Sequence, residues 1–497
     1  MTKTAPAGGH RTVRPLTKSP WPALWALIVG FFMILVDTTI VSVANPAIKA
    51  SLDPDSTDLD SVIWVTSAYL LAYAVPLLIT GRLGDRFGPK RIYLIGLAIF
   101  TAASLACGFS ATLEALILWR AVQGLGAALM SPQTMAVITR TFPIETRGTA
   151  MGFWGAVSGV AMLVGPLAGG LLVDGLGWEW IFFVNIPVGI IAFVLAVLLV
   201  PSLPTHPHRF DLVGVFLSAA GLFFVVFALQ EAEAYDWGEI WGPVTVWMLL
   251  VAGVVILAGF VWQQSRTRSE PLVPLKLFRI RTFALATTAI AAVGLTTTAL
   301  GLPIMFYLQL ARDLTPTQSA LMTVPMALAV GIVSPFVGRL IARIDVRWVL
   351  VPGISLVALS LGGYALLMVS AAPVLWFLVP SLTLGLGSAG MWGPLTTTTT
   401  RELPPREAGA GSGVYNAMRT VGSVIGSAAI AALIQARIEA NFAGASVDAN
   451  AATAGPVPEP LREAFGVAMA QSMILPMVVA ALAVVVVAFL PPRRPRS

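Results

Sequence analysis

The chain has 497 residues, of which 57% are hydrophobic and only 11% charged, and its mean hydropathy is +0.85. Soluble domains carry about 25% charged residues, so a soluble globular protein is excluded and an integral membrane protein is expected. The net charge of +6 would suit nucleic acid, but the placement of the charges, followed below, assigns it to membrane topology instead.

Cys107 is the only cysteine and sits in an apolar run, so neither an intrachain disulfide nor a cysteine metal cluster is expected. The histidines, His10, His206 and His208, fall in predicted loops and read as solvated rather than metal-ligating. No cofactor is expected.

A basic tail, 1–22, precedes the first apolar run, 23–48, which is too long for a signal peptide and reads as an uncleaved span. Fourteen apolar spans follow in all, at about 23–48, 61–80, 91–109, 113–138, 148–173, 180–200, 211–230, 243–263, 283–310, 317–340, 348–369, 373–398, 407–437 and 467–490. Each is long enough to cross a bilayer as helix. The predicted fold is therefore an all-α polytopic membrane protein with 14 transmembrane helices. The stretch 438–466, rich in Ala, Pro and acids, reads as a loop.

The first span carries Asp37 roughly 20 Å along its helix. An Asp at such depth costs ~3 kcal/mol on insertion scales. It can hydrogen-bond a neighbouring helix, or it can face a water-filled cavity and carry a proton or bind substrate. Intramembrane acids favour the second reading.

Between spans 2 and 3, Gly81, Asp85, Arg86, Gly88, Lys90 and Arg91 form a short polar loop. Its glycines allow a tight turn, and Asp85 can pair with an Arg or cap a helix N-terminus. Such a pair can make and break as a gate. In span 4, Arg120, Gln123, Gly124 and Ala127 share one helical face. A mid-span Arg needs a partner, either backbone carbonyls or a carboxylate such as Asp37.

Span 5 holds Gly152, Gly155 and Gly159, then Gly165, Pro166, Gly169 and Gly170. These allow close helix packing and, at Gly-Pro, a bend. Span 6 opens on Trp178 to Pro187, an interfacial belt that also buries the amide of Asn185. The second half has no acid like Asp37. It offers Met305, Phe306, Tyr307 and Gln309 in span 9, Met391 and Trp392 in span 12, and Tyr415, Asn416 and Arg419 in span 13. Each can be packing; together they can line an adaptable substrate cavity.

With the N-terminus in the cytoplasm, 24 Lys and Arg fall on the inner side and 4 on the outer, while Arg120 and Arg419 lie within spans. The acids Asp53, Asp55, Asp58 and Asp60 fall outside. This bias places both termini in the cytoplasm and accounts for the basic charge. Gly81-Arg82-Leu83 after span 2 and Gly338-Arg339-Leu340 after span 10 suggest two related halves. The expected division is a first six-helix bundle at 23–200, an inserted pair at 211–263, a second six-helix bundle at 283–490 and a cytoplasmic tail at 491–497.

These stretches resemble the major facilitator superfamily, and within it the fourteen-helix drug:proton antiporter branch of bacterial multidrug and antibiotic exporters. Gly81 to Arg91 is similar to the inner-loop signature. Leu118 to Ala127 is similar to the helix-4 signature, Gly159 to Gly170 to the helix-5 antiporter signature, and Leu35 to Pro46 to the branch's helix-1 signature. Trp64-Val65 with Tyr69 to Tyr73 also reads like the branch. The resemblance implies alternating access, with Asp37 as a proton or cation-substrate site, Arg120 as a coupling residue and Asp85 in a gating loop. The chain departs from the branch at Glu179, where Arg is common, and at Ala342, where an Asp often stands.

The expected function is proton-coupled efflux of drug-like or amphipathic molecules or cations across the cytoplasmic membrane. Its partners are a small-molecule substrate, protons and membrane lipid, with no nucleic acid, and it is expected to be a monomer. A dedicated exporter of one metabolite or antibiotic is the alternative. Proton symport for uptake and a non-transporting membrane sensor rank lower. A lipid-modifying enzyme is disfavoured because His-Glu-x-x-His, Gly-x-Ser-x-Gly and any intramembrane His are missing.

Overall fold

The apolar runs fold as helices that lie against one another along most of their length. The structure, a computed structural model, describes residues 19–52, 60–205, 211–232, 235, 237–267, 271–401, 403, 407–442 and 457–492. His10, His206, His208, the acids Asp53, Asp55 and Asp58, residues 443–456 of the expected loop 438–466 and most of both tails lie outside the described residues.

The first half comprises α1 (Trp21–Leu52), α2 (Asp60–Ala74), α3 (Leu77–Phe87), α4 (Pro89–Gly108), α5 (Leu113–Thr141), α6 (Ile144–Leu176), α7 (Trp180–Phe183) and α8 (Asn185–Leu199). Then come α9 (Leu212–Glu231), a small antiparallel ribbon of β1 (Glu239–Trp241) and β2 (Val244–Thr245), and α10 (Val246–Arg266). The rest comprises α11 (Arg281–Ala299), α12 (Gly301–Phe306), α13 (Pro316–Leu321), α14 (Val324–Arg343), α15 (Arg347–Val369), α16 (Leu378–Ala389), α17 (Trp392–Thr400) and α18 (Ala408–Asn441). The last two are α19 (Arg462–Ser472) and α20 (Ile474–Ala488).

Among the described residues twelve helices are long and apolar enough to cross a membrane. Trp64–Ala74 and Leu77–Phe87, bent by 47°, make a thirteenth if counted as one span. The expected fifth stretch lies in the 33-residue α6, of which Val164–Leu176 is a shorter apolar helix. Local chemistry sets several ends. Thr112 accepts from the Ala115 amide at the start of α5, and Thr245 accepts from Met248 at the start of α10. Both hydroxyls satisfy amides that the first turn leaves unpaired.

One expected loop is corrected. Gly81 to Arg91 is mostly helix: α3 runs to Phe87, α4 starts at Pro89, and only Gly88 turns the chain, at φ +94°. Glycine tolerates that conformation, and proline suits the first helical position that follows. Pro76 separates α2 from α3 and begins the bend.

Close approaches between early and late helices lie at the end that carries Asp85 and Arg140. A Cβ at Gly81 would meet the backbone of Gly409 and Gly413 in α18. A Cβ at Gly148 would meet the Gly338 carbonyl of α14 at 2.7 Å, and one at Gly152 the Ser334 carbonyl at 2.6 Å. The helices therefore touch backbone to backbone, as small residues permit. α9 and α10 pack on each other, and α9 also touches α2 and α18. The interior is built of interlocked apolar side chains, for example Phe31 stacked on Trp154 at 4.7 Å. Large apolar side chains such as Leu198, Leu212 and Leu359 point outward, as a hydrocarbon surrounding allows.

Candidate functional site: a sealed carboxylate and a closed basic end

Asp37, Arg120 and Gln123 come together with no solvent exposure. Arg120 Nη1 donates to Asp37 Oδ2 at 2.6 Å and to Gln123 Oε1 at 2.7 Å. Gln123 Nε2 and Asn185 Nδ2 each donate to Asp37 Oδ1 at 2.9 Å. The carboxylate thus holds three donors from α5 and α8. This is how a desolvated charge is made tolerable.

Each donor is itself aimed. Arg120 Nε donates to the Val65 carbonyl at 3.0 Å, and the guanidinium lies over the Tyr69 ring at 4.2 Å. Asn185 Nδ2 also donates to Ser104 Oγ at 3.0 Å, and that hydroxyl donates to the Phe182 carbonyl at 2.9 Å. Cys107 lies 3.9 Å from Gln123 Oε1. Gly124 lets α5 approach α2 at this level, because a Cβ there would collide with the Tyr69 carbonyl. Asp37, expected to face water, is instead unexposed in this conformation, with Arg120, Gln123 and Asn185 around its carboxylate.

At the basic end Asp85 is buried and ion-paired with Arg140. Its two oxygens accept from the Gly409 and Ala410 amides at 3.1 Å each. A carboxylate at the first turn of α18 satisfies unpaired amides and complements the helix dipole. Neighbouring Arg82 donates to the carbonyls of Leu272 at 3.0 Å and Pro271 at 2.5 Å. The segment after α10 is thereby pinned. Val273 N donates to Gln264 Oε1 at 3.1 Å, and Lys276 pairs with Glu407 at 2.7 Å. Arg86 lies over its neighbour Phe87 at 5.2 Å, Gly88 makes the turn, and Arg91 is exposed.

Within α6, Gly165 faces Thr39 and the Val36 carbonyl of α1, and Gly169 is buried. Gly170 has open space around it. The helix continues through Pro166 from end to end. Gly159 lies in the same helix.

The second-half candidates separate. Tyr307 is buried and stacks on Phe377 at 5.5 Å, where the helix loosens into a π-turn over Tyr307–Ala311. Phe306 packs against the same apolar core, and Met305 and Gln309 are half-buried. Met391 is buried in that core with Trp392 against it. Tyr415 and Thr396 share a 2.8 Å hydroxyl hydrogen bond, and Asn416 Nδ2 donates to the Ser412 carbonyl at 2.9 Å. Arg419 hydrogen-bonds the first half: its Nη2 donates to Tyr73 Oη at 3.3 Å, and Tyr73 donates to Ser131 Oγ at 3.1 Å. Sequence reasoning missed Arg140 as the partner of Asp85, Arg82 as the clamp on 271–272, and Tyr73 as the partner of Arg419. The i, i+4 pair Tyr69 and Tyr73 was the visible signal for the last.

The family model described as Major Facilitator Superfamily matches residues 27–427. The chain is 49% identical to an uncharacterized MFS-type transporter of Mycobacterium tuberculosis (strain ATCC 25618 / H37Rv), covering 95% of this chain and 81% of that one. It is 34% identical to the tetracenomycin C resistance and export protein of Streptomyces glaucescens, covering 92% and 84%. It is 35% identical to the multidrug resistance protein Stp of Mycobacterium tuberculosis (strain CDC 1551 / Oshkosh), covering 83% and 76%. Among solved structures, the proton:xylose symporter XylE has the same fold, with TM-score 0.63 at 12% identity over 95% of this chain and 96% of that one. With a family model matched over most of its length and relatives similar nearly end to end, this multi-pass membrane protein belongs to the Major Facilitator Superfamily.

Proposed function

We propose that the protein exports drug-like amphipathic molecules across the cytoplasmic membrane in exchange for protons, by alternating access. The observation that carries this reading is Asp37, an acid within a span, unexposed and held by Arg120, Gln123 and Asn185. The names of the tetracenomycin C exporter and of Stp support export of drug-like cargo.

Fourteen spans with both termini inside, divided as two six-helix halves and an inserted pair, remain our architecture. Its support is reciprocal packing: the second span of one half meets the fifth of the other, as α3 on α18 and α14 on α6. On that reading the structure has its cytoplasmic end shut by Asp85, Arg140 and α18.

The cycle follows from the bonds. A proton arriving on Asp37 removes the charge that holds Arg120 and turns one oxygen from acceptor to donor. The groups facing Asp37 are Arg120, Gln123 and Asn185, with Tyr69 and Cys107 just behind them. Arg120 must then find other acceptors, and the packing around α1, α5 and α8 changes with it. Cargo bound from the cytoplasm favours the deprotonated state, and by linkage protonation weakens cargo binding equally. One charge crossing the membrane is worth ~2.3 kcal/mol per 100 mV, ample for accumulation.

The test uses vesicles made acidic inside, with a pH dye within. Adding amphipaths outside should release protons through the wild type, and Asp37→Asn should abolish the cargo-dependent release while leaving cargo binding. Equal release from both proteins would sink the role of Asp37. No release with any cargo would favour a non-transporting role.

A further inference from the structure

Among the described residues, mid-span charge does not cancel. Asp37 and Arg120 neutralise one another. The other buried acids lie at helix ends. Asp85 is held by Arg140 and the start of α18, Glu407 by Lys276, and Glu231 sits in the last turn of α9. Arg419 lies 11 residues into α18, about 16 Å along the helix. Among the described residues it has no carboxylate partner. Among the described residues its one hydrogen bond is to a neutral phenol, Tyr73 Oη, at 3.3 Å, and its buried Nε has no acceptor there. Arg120 Nη2 is likewise buried without an acceptor.

These two guanidiniums are joined by a pair of parallel rings. Arg120 lies on Tyr69 at 4.2 Å, Tyr69 and Tyr73 are 6.3 Å apart at an interplanar angle of 1°, and Tyr73 bonds Arg419. The pair bridges the proton-site cluster of the first half to α18 of the second. Arg419 is half-buried, so part of it is left uncovered by the protein. An intramembrane cation without a counter-charge marks a ligand path. A guanidinium fork suits a planar two-oxygen anion, and aromatic rings beside it suit a flat apolar body.

We propose that Arg419, with the Tyr69 and Tyr73 rings, forms an anion subsite, and that the cargo is an aromatic amphipath bearing a carboxylate or phenolate rather than a lipophilic cation. This rests on the export reading for the direction of movement, not for the binding. A cation in the same place meets an uncancelled positive charge. A carboxylate completes it, and brings its own charge into line with Arg419 Nε.

Three anthracenes of matched shape test the charge class: the 9-carboxylate, the 9-methanol and the 9-methyl-trimethylammonium. Binding to the full-length protein in lipid nanodiscs is read by anthracene fluorescence. The carboxylate should bind about tenfold to a hundredfold more tightly than the ammonium, the range of a charge-assisted hydrogen bond. Arg419→Ala should erase that preference while methanol binding stays within about twofold, which also reports an intact fold. Arg419→Lys should keep part of it, since a point charge remains without the fork.

Wild-type binding of the ammonium as tightly as the carboxylate would overturn the anion subsite. So would an equal change for all three probes in an Arg419→Ala protein whose thermal unfolding matches that of the wild type. Transport separates the two readings. Arg419-dependent binding of the carboxylate without gradient-driven movement defeats export and leaves the subsite standing. Gradient-driven movement of the ammonium alone defeats the subsite and leaves export standing.

Discussion

Arg120 is asked to do more than balance a charge. Its Nε, its Nη1 and its flat face each have a different target: the Val65 carbonyl, Asp37 with Gln123, and the Tyr69 ring. A lysine keeps the charge, so Arg120→Lys avoids the ~3–5 kcal/mol of an orphaned buried carboxylate. It cannot reach all three targets at once, and an unmet buried acceptor costs ~1–3 kcal/mol. The expected result is a folded protein whose melting temperature falls by a few degrees and whose proton-coupled transport falls more than about tenfold. Thermal unfolding and vesicle proton release measure the two separately. At this scale the sequence was informative. Asp37, Arg120 and Arg419 stand out because charges inside apolar runs are few, and Gln123 follows from its spacing to Arg120. Asn185 announced a buried amide but not its partner.

Helix contact at the basic end is set by glycine. A side chain at Gly81 would press on the Gly409 and Gly413 backbones, which cannot rotate away as a flexible side chain would. Overpacking of this kind costs ~1–3 kcal/mol. Gly81→Val should therefore separate α3 from α18, weaken the Asp85 bonds to the Gly409 and Ala410 amides, and favour the conformation open at that end. A cysteine placed at Ala410, which is 2% exposed, should then react with maleimide about tenfold faster than in the Gly81 background. An unchanged rate would mean that this contact does not hold the end shut. The glycines were legible as close-packing residues. Their partners were not, because Gly81 and Gly409 are separated by more than three hundred residues. A separation of 190 residues likewise hid the clamp of Arg82 on 271–272, since a loop carries no periodicity. Tyr307, offered by the sequence as packing or as cavity lining, packs here as core on Phe377.

Across the whole molecule, orientation is the open physical quantity, because charge bias sets it during insertion. Cys107 is the only cysteine and is buried, so an added cysteine can be read against a low background. Ser497→Cys should be labelled by an impermeant maleimide in everted vesicles and not in intact cells. Labelling in intact cells would reverse the topology and place the Asp85 end outside.

The sequence by itself determined the class of protein, the positions of nearly all its helices and the few charges buried in them. Those follow from hydrophobicity and the cost of a charge in hydrocarbon, which act locally along the chain. Only the tertiary structure decided that Asp37 is sealed by Asn185 as well as Arg120, that Asp85 caps α18, and that Arg419 faces a tyrosine rather than an acid. Each of those depends on which helices lie side by side, and that is fixed by packing between residues far apart in the chain.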